Sequence, residues 1–327
     1  MSARRRAEME LLRKVGEGEY PTDYLLSRIR ARRTLMITDW RRLLLGEPIR
    51  DLVLFRYGPV PDEDPEAVWR FLLKEFGSVY FQMNKDLRSF FAPFFLYAEL
   101  RTVYICLRYA KGGQGGKAGR LLSFSLLSGK IREILGGGWE LPLIVDRLGE
   151  LLSQLSKGLG GLGTILEKRG LRGLEQRVTT AYLEYVVHSG LDPLMKEFFV
   201  SIIDSRNVLS LYKYIRSRGK TAPQFIEGGR ITEKIYTGIA VKSDGSALEH
   251  LLLRLTGVRI EDQGIATVES SLYKMTTRLL RRAGREPLCA GVILDYLWRC
   301  SLEARNLSVL LYGSGIEKEV LAAEIVQ

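Results

Sequence analysis

A short signature recurs three times along the 327-residue chain, each time inside a stretch of helical hydrophobic periodicity. It reads Glu99-Leu100-Arg101-Thr102-Val103, then Asp204-Ser205-Arg206-Asn207-Val208, then Glu303-Ala304-Arg305-Asn306-Leu307. An aromatic residue, Phe94, Phe199 or Trp298, stands seven positions before each arginine. Seven residues at about 3.6 per turn return to nearly the same helix face, so each copy sets an aromatic ring two turns from a guanidinium. The acid and the arginine are two positions apart, point to different sides of the helix and cannot pair with each other. Each needs a partner on another element, and the expected role of the arginine is a bidentate bond to a carboxylate on a neighbouring helix.

The copies agree beyond the helix. After the second, the chain turns at Arg218-Gly219-Lys220 and enters Phe225-Ile226-Glu227-Gly228-Gly229-Arg230-Ile231. After the first, a longer glycine-rich turn leads to Leu126-Leu127-Ser128-Gly129-Lys130-Ile131, so that Gly, a basic residue and Ile coincide. The third passes through Gly313-Ser314-Gly315 into a helical segment, Ile316 to Val326, without a loop like that of residues 225–231. A period of roughly a hundred residues is too long for a solenoid array. The pattern predicts three related helical units, residues 1–140, 141–245 and 246–327, arranged as a trefoil. Its candidate site residues are Glu99, Arg101, Asp204, Arg206, Asn207, Gly228, Gly229, Arg230, Glu303, Arg305 and Asn306, in a structural role.

Between the signatures, apolar residues recur at three and four, as in Ile144, Leu148, Leu151, Leu152 and Leu155, while alternating strand patterns are scarce. Clusters of Gly, Pro and short polar residues interrupt this period at 58–65, 111–119, 136–142, 158–163, 189–193, 219–223, 242–246, 257–264 and 284–287. About ten helices joined by short loops follow, and the fold class is all-α. With 46% apolar residues the chain can bury a substantial core.

Chemistry is hard to place on this sequence. Lys111-Gly112-Gly113-Gln114-Gly115-Gly116-Lys117-Ala118 approaches a phosphate loop, but Lys111 stands where the first Gly belongs and Ala118 where the Mg²⁺-binding hydroxyl belongs. It reads as a flexible linker between helices. Gly158-Leu159-Gly160-Gly161-Leu162-Gly163 satisfies GxGxxG, yet the segment Leu143 to Leu155 before it has helical spacing, so it reads as a helix cap and hinge. His188 and His250 stand alone, and Cys106, Cys289 and Cys300 lack paired spacing. Neither a three-histidine metal site, a thiolate cage nor a disulfide framework is supported. Asp204, Glu269 and Glu303 have no neighbouring His to act as base, and Glu269-Ser270-Ser271 lacks a nucleophile elbow. No catalytic, cofactor or metal site is expected. His188 suits a helix C-terminus, and the aromatic run Phe90, Phe91, Phe94, Phe95, Tyr97 suits a core.

With 49 Lys and Arg against 38 Asp and Glu, the formal charge is +11, which attracts an anionic partner without naming it. Arg28, Arg30, Arg32, Arg33, Arg41 and Arg42 form one basic group, and Arg278, Arg281, Arg282 and Arg285 another. The alternative function is therefore a basic helical nucleic-acid-binding protein. No recognised module, zinc ligand set or stacking platform accompanies the charge, so nucleic acid is not the expected partner. The opening Met-Ser-Ala-Arg-Arg-Arg lacks the apolar run of a secretory signal, which points to the cytoplasm. The longest apolar stretch, Phe90 to Ala98, is closed by Glu99 and Arg101 at about half the length of a bilayer-spanning helix.

These residues resemble the C-type stalk component of the V/A-type rotary ATPases, the counterpart of the d component in eukaryotic V-ATPases. Tyr24-Leu25-Leu26-Ser27-Arg28-Ile29-Arg30-Ala31 is similar to the family's N-terminal Tyr-x-x-x-Arg-x-Arg helix. The pair formed by residues 203–208 and 225–231 resembles its most specific internal feature, and Pro287 to Gly313 its C-terminal helix. The first unit departs from the pattern with Arg101-Thr102 in place of Arg-Asn and with an enlarged turn. The resemblance implies an all-helical, funnel-shaped protein of three similar domains in a pseudo-threefold arrangement. It also implies a non-catalytic component of the central stalk, without a cofactor, which meets the D and F subunits of that stalk and the membrane proteolipid ring. Such a protein is attached peripherally at the cytoplasmic face and couples the shaft to proton or sodium transport, while ATP hydrolysis or synthesis belongs to other parts of the complex.

Overall fold

The computed structural model describes residues 3–16, 20–46, 66–219, 223–259, 264–286, 289–313 and 315–326. The breaks expected at 58–65 and at parts of 219–223, 257–264 and 284–287, with Pro287 and Ser314, lie outside them. The described residues form fifteen α-helices: α1 (Ala3–Glu10), α2 (Thr22–Arg33), α3 (Trp40–Leu44), α4 (Ala67–Tyr80), α5 (Lys85–Lys111), α6 (Gly115–Leu122), α7 (Gly129–Gly136) and α8 (Leu141–Ser153), followed by α9 (Leu162–Val187), α10 (Pro193–Arg216), α11 (Glu233–Lys242), α12 (Gly245–Thr256), α13 (Ile265–Ala283), α14 (Ala290–Tyr312) and α15 (Lys318–Glu324). No strand forms among them, only an isolated bridge between Leu12 and Leu127. The all-α class read from periodicity is the observed class.

Local chemistry sets many of the helix ends. Asn84 caps α5 by accepting from the Leu87 amide at 2.9 Å, and Asp244 caps α12 by accepting from the Ala247 amide at 2.9 Å. Gly257 closes α12 in the left-handed conformation, with φ +70°. The fifteen helices exceed the expected ten because pieces such as α3, α6, α7 and α15 are too short for a hydrophobic period to register. The glycine-rich run before residue 119 is also less of a linker than its composition suggests. Only Gly112, Gly113 and Gln114 connect α5 to α6, and burial of Ala118, Leu121 and Leu122 outweighs the poor helix propensity of the glycines.

The residues gather into two compact units, the first formed by residues 1–25 and 73–195, the second by residues 26–72 and 196–327. In the first, Phe76 and Tyr80 of α4 meet Phe94 and Phe95 of α5 edge to face, with centroids 5.2 to 6.0 Å apart. Helix α9 binds the other side of α5. The Tyr104 hydroxyl lies 2.6 Å from Thr179 Oγ1, and Arg108 makes a two-pronged bond to Glu175 at 2.8 and 2.9 Å. By length and composition α5 is long and apolar enough to cross a membrane. Counting only uninterrupted apolar runs hid this, because charged residues divide the helix. Here α5 is a core helix, burying Phe91, Phe94 and Phe95 together with the charged Arg88 and Glu99.

In the second unit, Val208, Leu211, Phe225, Tyr236, Leu252 and Leu272 belong to one apolar cluster, where Phe225 stacks on Tyr236 at 5.0 Å. Helices α10, α13 and α14 share a second core. Phe198 meets Trp298 edge to face at 5.8 Å, the Trp298 indole N–H donates to Thr277 Oγ1 at 2.9 Å, and Ser201 and Thr276 pair at 2.7 Å. Asp295 is fully buried and neutralised from two sides, by Arg33 at 2.9 Å and Arg299 at 3.1 Å.

Pro93 sits inside α5 and has no N–H to donate to the preceding turn. The buried Tyr182 hydroxyl crosses from α9 and donates to the Pro93 carbonyl at 2.8 Å, fastening the proline turn to its neighbour. Tyr182→Phe is expected to lower unfolding stability by about 1 kcal/mol, the net worth of such a bond, with the midpoint shift read by urea denaturation.

Candidate functional site

The second signature is the most complete. Asp204 and Asn207 lie one turn apart on α10 and are both buried, facing the loop of residues 225–231. Asn207 brackets one residue of that loop. Its Nδ2 donates to the Ile226 carbonyl at 2.8 Å, and the Ile226 amide donates to its Oδ1 at 2.8 Å. A primary amide carries a donor and an acceptor side by side, the complement of a residue's own N–H and C=O. The Asp204 carboxylate accepts from the backbone amides of Arg230 at 3.3 Å and Ile231 at 3.4 Å. Gly229 makes that approach possible, since a Cβ there would lie 2.4 Å from Asp204 Oδ1. Gly228 supplies the left-handed turn, with φ +95°. The Arg230 side chain pairs with Glu197 at 2.7 Å, but both are about half exposed, so this pair adds little.

The third signature repeats the amide bracket. On α14, Asn306 Nδ2 donates to the Val326 carbonyl at 2.8 Å, and its Oδ1 accepts from the Val326 amide at 3.1 Å. Residues 325–326 thus stand where 225–226 stand in the second copy. The buried Glu303 accepts instead from the Ile37 amide at 2.7 Å, so a segment between α2 and α3 provides the donor.

In the first signature the acid takes over part of the work of the missing Asn. Glu99 on α5 accepts from the Leu126 amide and, at 2.9 Å, from Ser125 Oγ. Thr102 also hydrogen-bonds Glu99, and its side chain has no paired donor and acceptor with which to bracket a residue. The Leu126 carbonyl is satisfied from another direction, by the Arg13 amide at 2.8 Å, in the bridge that joins residues 11–13 to 126–128. The sequence match of Gly129-Lys130-Ile131 to Gly229-Arg230-Ile231 is not a match of position. The former opens α7, whereas the latter lies in the loop before α11.

The arginines divide. Arg305 bonds Glu324 on α15 at 3.2 Å, lies 3.6 Å from Glu269 on α13, donates to the Glu324 carbonyl at 2.6 Å and covers the ring of Tyr273. Arg101 and Arg206 are exposed on α5 and α10. The three aromatics seven positions earlier, Phe94, Phe199 and Trp298, are all buried. Of the remaining motifs, the Lys111–Ala118 run joins two helices and the GxGxxG segment follows α8 and opens α9, so neither has the strand that a nucleotide loop requires. His188 is the C-cap of α9. Sequence reasoning missed Ser125 and Ile37. A short polar residue inside the apolar run 124–127 is a signal for Ser125, whereas Ile37 acts through its backbone and leaves none.

A sequence profile described as ATP synthase (C/AC39) subunit matches residues 26–319, a span that contains all three signatures. The chain belongs to that family. No curated protein gives a match to it. The C/AC39 protein is thereby a structural part of a V/A-type rotary ATPase, and in it the signature carboxylates act as anchors for loop backbone.

Removing the Asn207 amide orphans both polar groups of Ile226 at a buried position. Asn207→Ala in this C/AC39 protein is expected to cost about 2–4 kcal/mol, and Asn207→Asp does not rescue it because a carboxylate offers no donor to the Ile226 carbonyl. Urea unfolding of the two variants measures this.

Burial pushes the Glu99 carboxyl above its ordinary value, opposed by its bonds from Thr102, the Leu126 amide and Ser125, and burial likewise raises Asp204 against the Ile231 and Arg230 amides. A raised folded-state value means that the unfolded chain ionises first. The contribution of Glu99 to stability is fully present below the ordinary carboxylate value of 4.5 and is lost as pH rises through its raised value. Glu99→Gln should therefore gain stability relative to the unaltered protein as pH rises from about 5 to 8; a pH-independent difference in denaturation midpoint refutes the assignment.

Proposed function

We propose that this C/AC39 protein is the non-catalytic coupling element of the central stalk, passing rotation between the D and F subunits of the stalk and the membrane proteolipid ring at the cytoplasmic face. The family match across residues 26–319 carries the reading. Torque transfer needs a body that resists shear, and close-packed helices have low compressibility. The signatures add to this stiffness by tying loop or terminal backbone to the interior of a long helix through Asp204 and Asn207, Glu303 and Asn306, and Glu99. Three such helical units in a pseudo-threefold funnel give a hub with two loaded faces, and the chain itself performs no reaction. The formal charge of +11 suits rims that face acidic stalk surface and anionic lipid around apolar interface centres.

Native mass spectrometry of the full chain mixed with the D and F subunits tests the reading. A stable complex is expected, with dissociation rising between about 50 and 500 mM salt as the rim charges are screened. Absence of a complex, together with DNA or RNA binding of steep salt dependence in a gel shift, overturns it in favour of nucleic-acid binding. A complex indifferent to salt removes the electrostatic part alone.

A further inference from the structure

The first unit contains a cavity of about 640 Å³ between the segment after α1, the start of α7 and the end of α8. Its wall carries Arg13, Lys14, Lys130 and Arg132 against a single acid, Glu10. Hydrogen-bond donors dominate it. The Nε atoms of Arg13 and Arg132 are buried without a partner, while Arg13 Nη2 donates to the carbonyls of Leu122 at 3.2 Å and Ser123 at 2.7 Å. Ser128, only 8% exposed, occupies the N-cap of the eight-residue α7, yet its Oγ makes no cap bond and has no partner. The amides of Gly129, Lys130 and Ile131 in the first turn consequently have no side-chain cap, and the positive end of the helix faces the same space. Burial and the neighbouring Arg132 both lower the Arg13 pKa, opposed in part by the carboxylate of Glu99.

We propose that this cavity is a binding site for a phosphate-bearing anion. A phosphate group offers several oxygens in different directions, matching guanidinium, ammonium, hydroxyl and helix-terminal amide donors that converge from different elements. The volume falls within the range of small-molecule sites and exceeds what one phosphate fills, so the ligand is a di- or polyphosphate, or a phosphate ester with an attached group. Leu11, Leu12 and Leu151 supply an apolar wall for such a group. A soluble phosphate compound and a phospholipid headgroup share this chemistry. The site lies within one unit and does not depend on the torque-coupling reading.

The full chain is titrated calorimetrically with inorganic phosphate and with pyrophosphate, and floated with phosphatidylcholine vesicles with or without phosphatidic acid. Saturable pyrophosphate binding, tighter than that of phosphate, identifies a soluble ligand, whereas capture only by phosphatidic acid vesicles identifies a headgroup. In either case Arg132→Gln and Lys130→Gln are expected to weaken binding about tenfold, and Arg254→Gln on α12 of the second unit to leave it unchanged. Lys130 is exposed, so its variant keeps the test intact if Arg132→Gln does not fold. No binding of any probe, binding unaffected by Lys130→Gln, or equal weakening by Arg254→Gln overturns the proposal.

Discussion

Backbone polar groups taken out of water must find partners, and in this protein the loops that leave the long helices find them on helix side chains rather than in a sheet. The bond between Asn207 and Ile226 is the simplest expression of that constraint: one side chain satisfies both polar groups of one buried residue. An all-helical chain has no ladder to absorb a segment that must run extended across a core. A side-chain amide at the right place on α10 or α14 replaces the missing strand. The acid one turn earlier extends the anchor to a second stretch of backbone, and the glycine at 229 lets that backbone come close.

Variation among the copies follows from the same rule. With Thr102 where the other signatures have Asn, the bracket is lost, and the buried N–H and C=O of Leu126 go separately to Glu99 and to the Arg13 amide. The isolated bridge at Leu12 and Leu127 is the structural consequence, the nearest approach to a strand pair among the described residues. In the third copy the acid is satisfied by the amide of Ile37, more than two hundred residues away in sequence. Each copy gives its signature acid a backbone donor, though each recruits that donor differently.

Placement of the signature acids, Asn207 and Asn306 on the buried side of their helices gives this rotary-ATPase component a means of holding loop backbone in place. It also makes ionisation costly, since Glu99 and Asp204 sit where burial disfavours charge and hydrogen-bond donors oppose it only in part. The basic cavity at the start of α7 is the opposite case. There basic side chains gather around a single acid, and the Nε atoms of Arg13 and Arg132 and the Ser128 hydroxyl lack acceptors, which is why it reads as a site for a ligand and not as part of the frame.

Much of this was legible in the residues. Periodicity gave the helical class, and the fixed spacing of acid, arginine and Asn marked Asp204, Asn207, Glu303 and Asn306 as special before any fold was known. These are local properties, fixed by the 3.6-residue turn that puts positions one turn apart on one face. What the residues alone did not reveal is which of those positions faces inward and whom it meets. The arginine invites attention by its charge, and Arg305 is held between carboxylates of neighbouring helices, yet the quieter acid and amide carry the buried bonds. The partners Ile37, Leu126 and Val326 act through backbone atoms common to every residue, so no side-chain pattern announces them. Tertiary packing decided those pairings, because the energy of a hydrogen bond depends on two groups meeting out of water, and sequence spacing constrains only one of them.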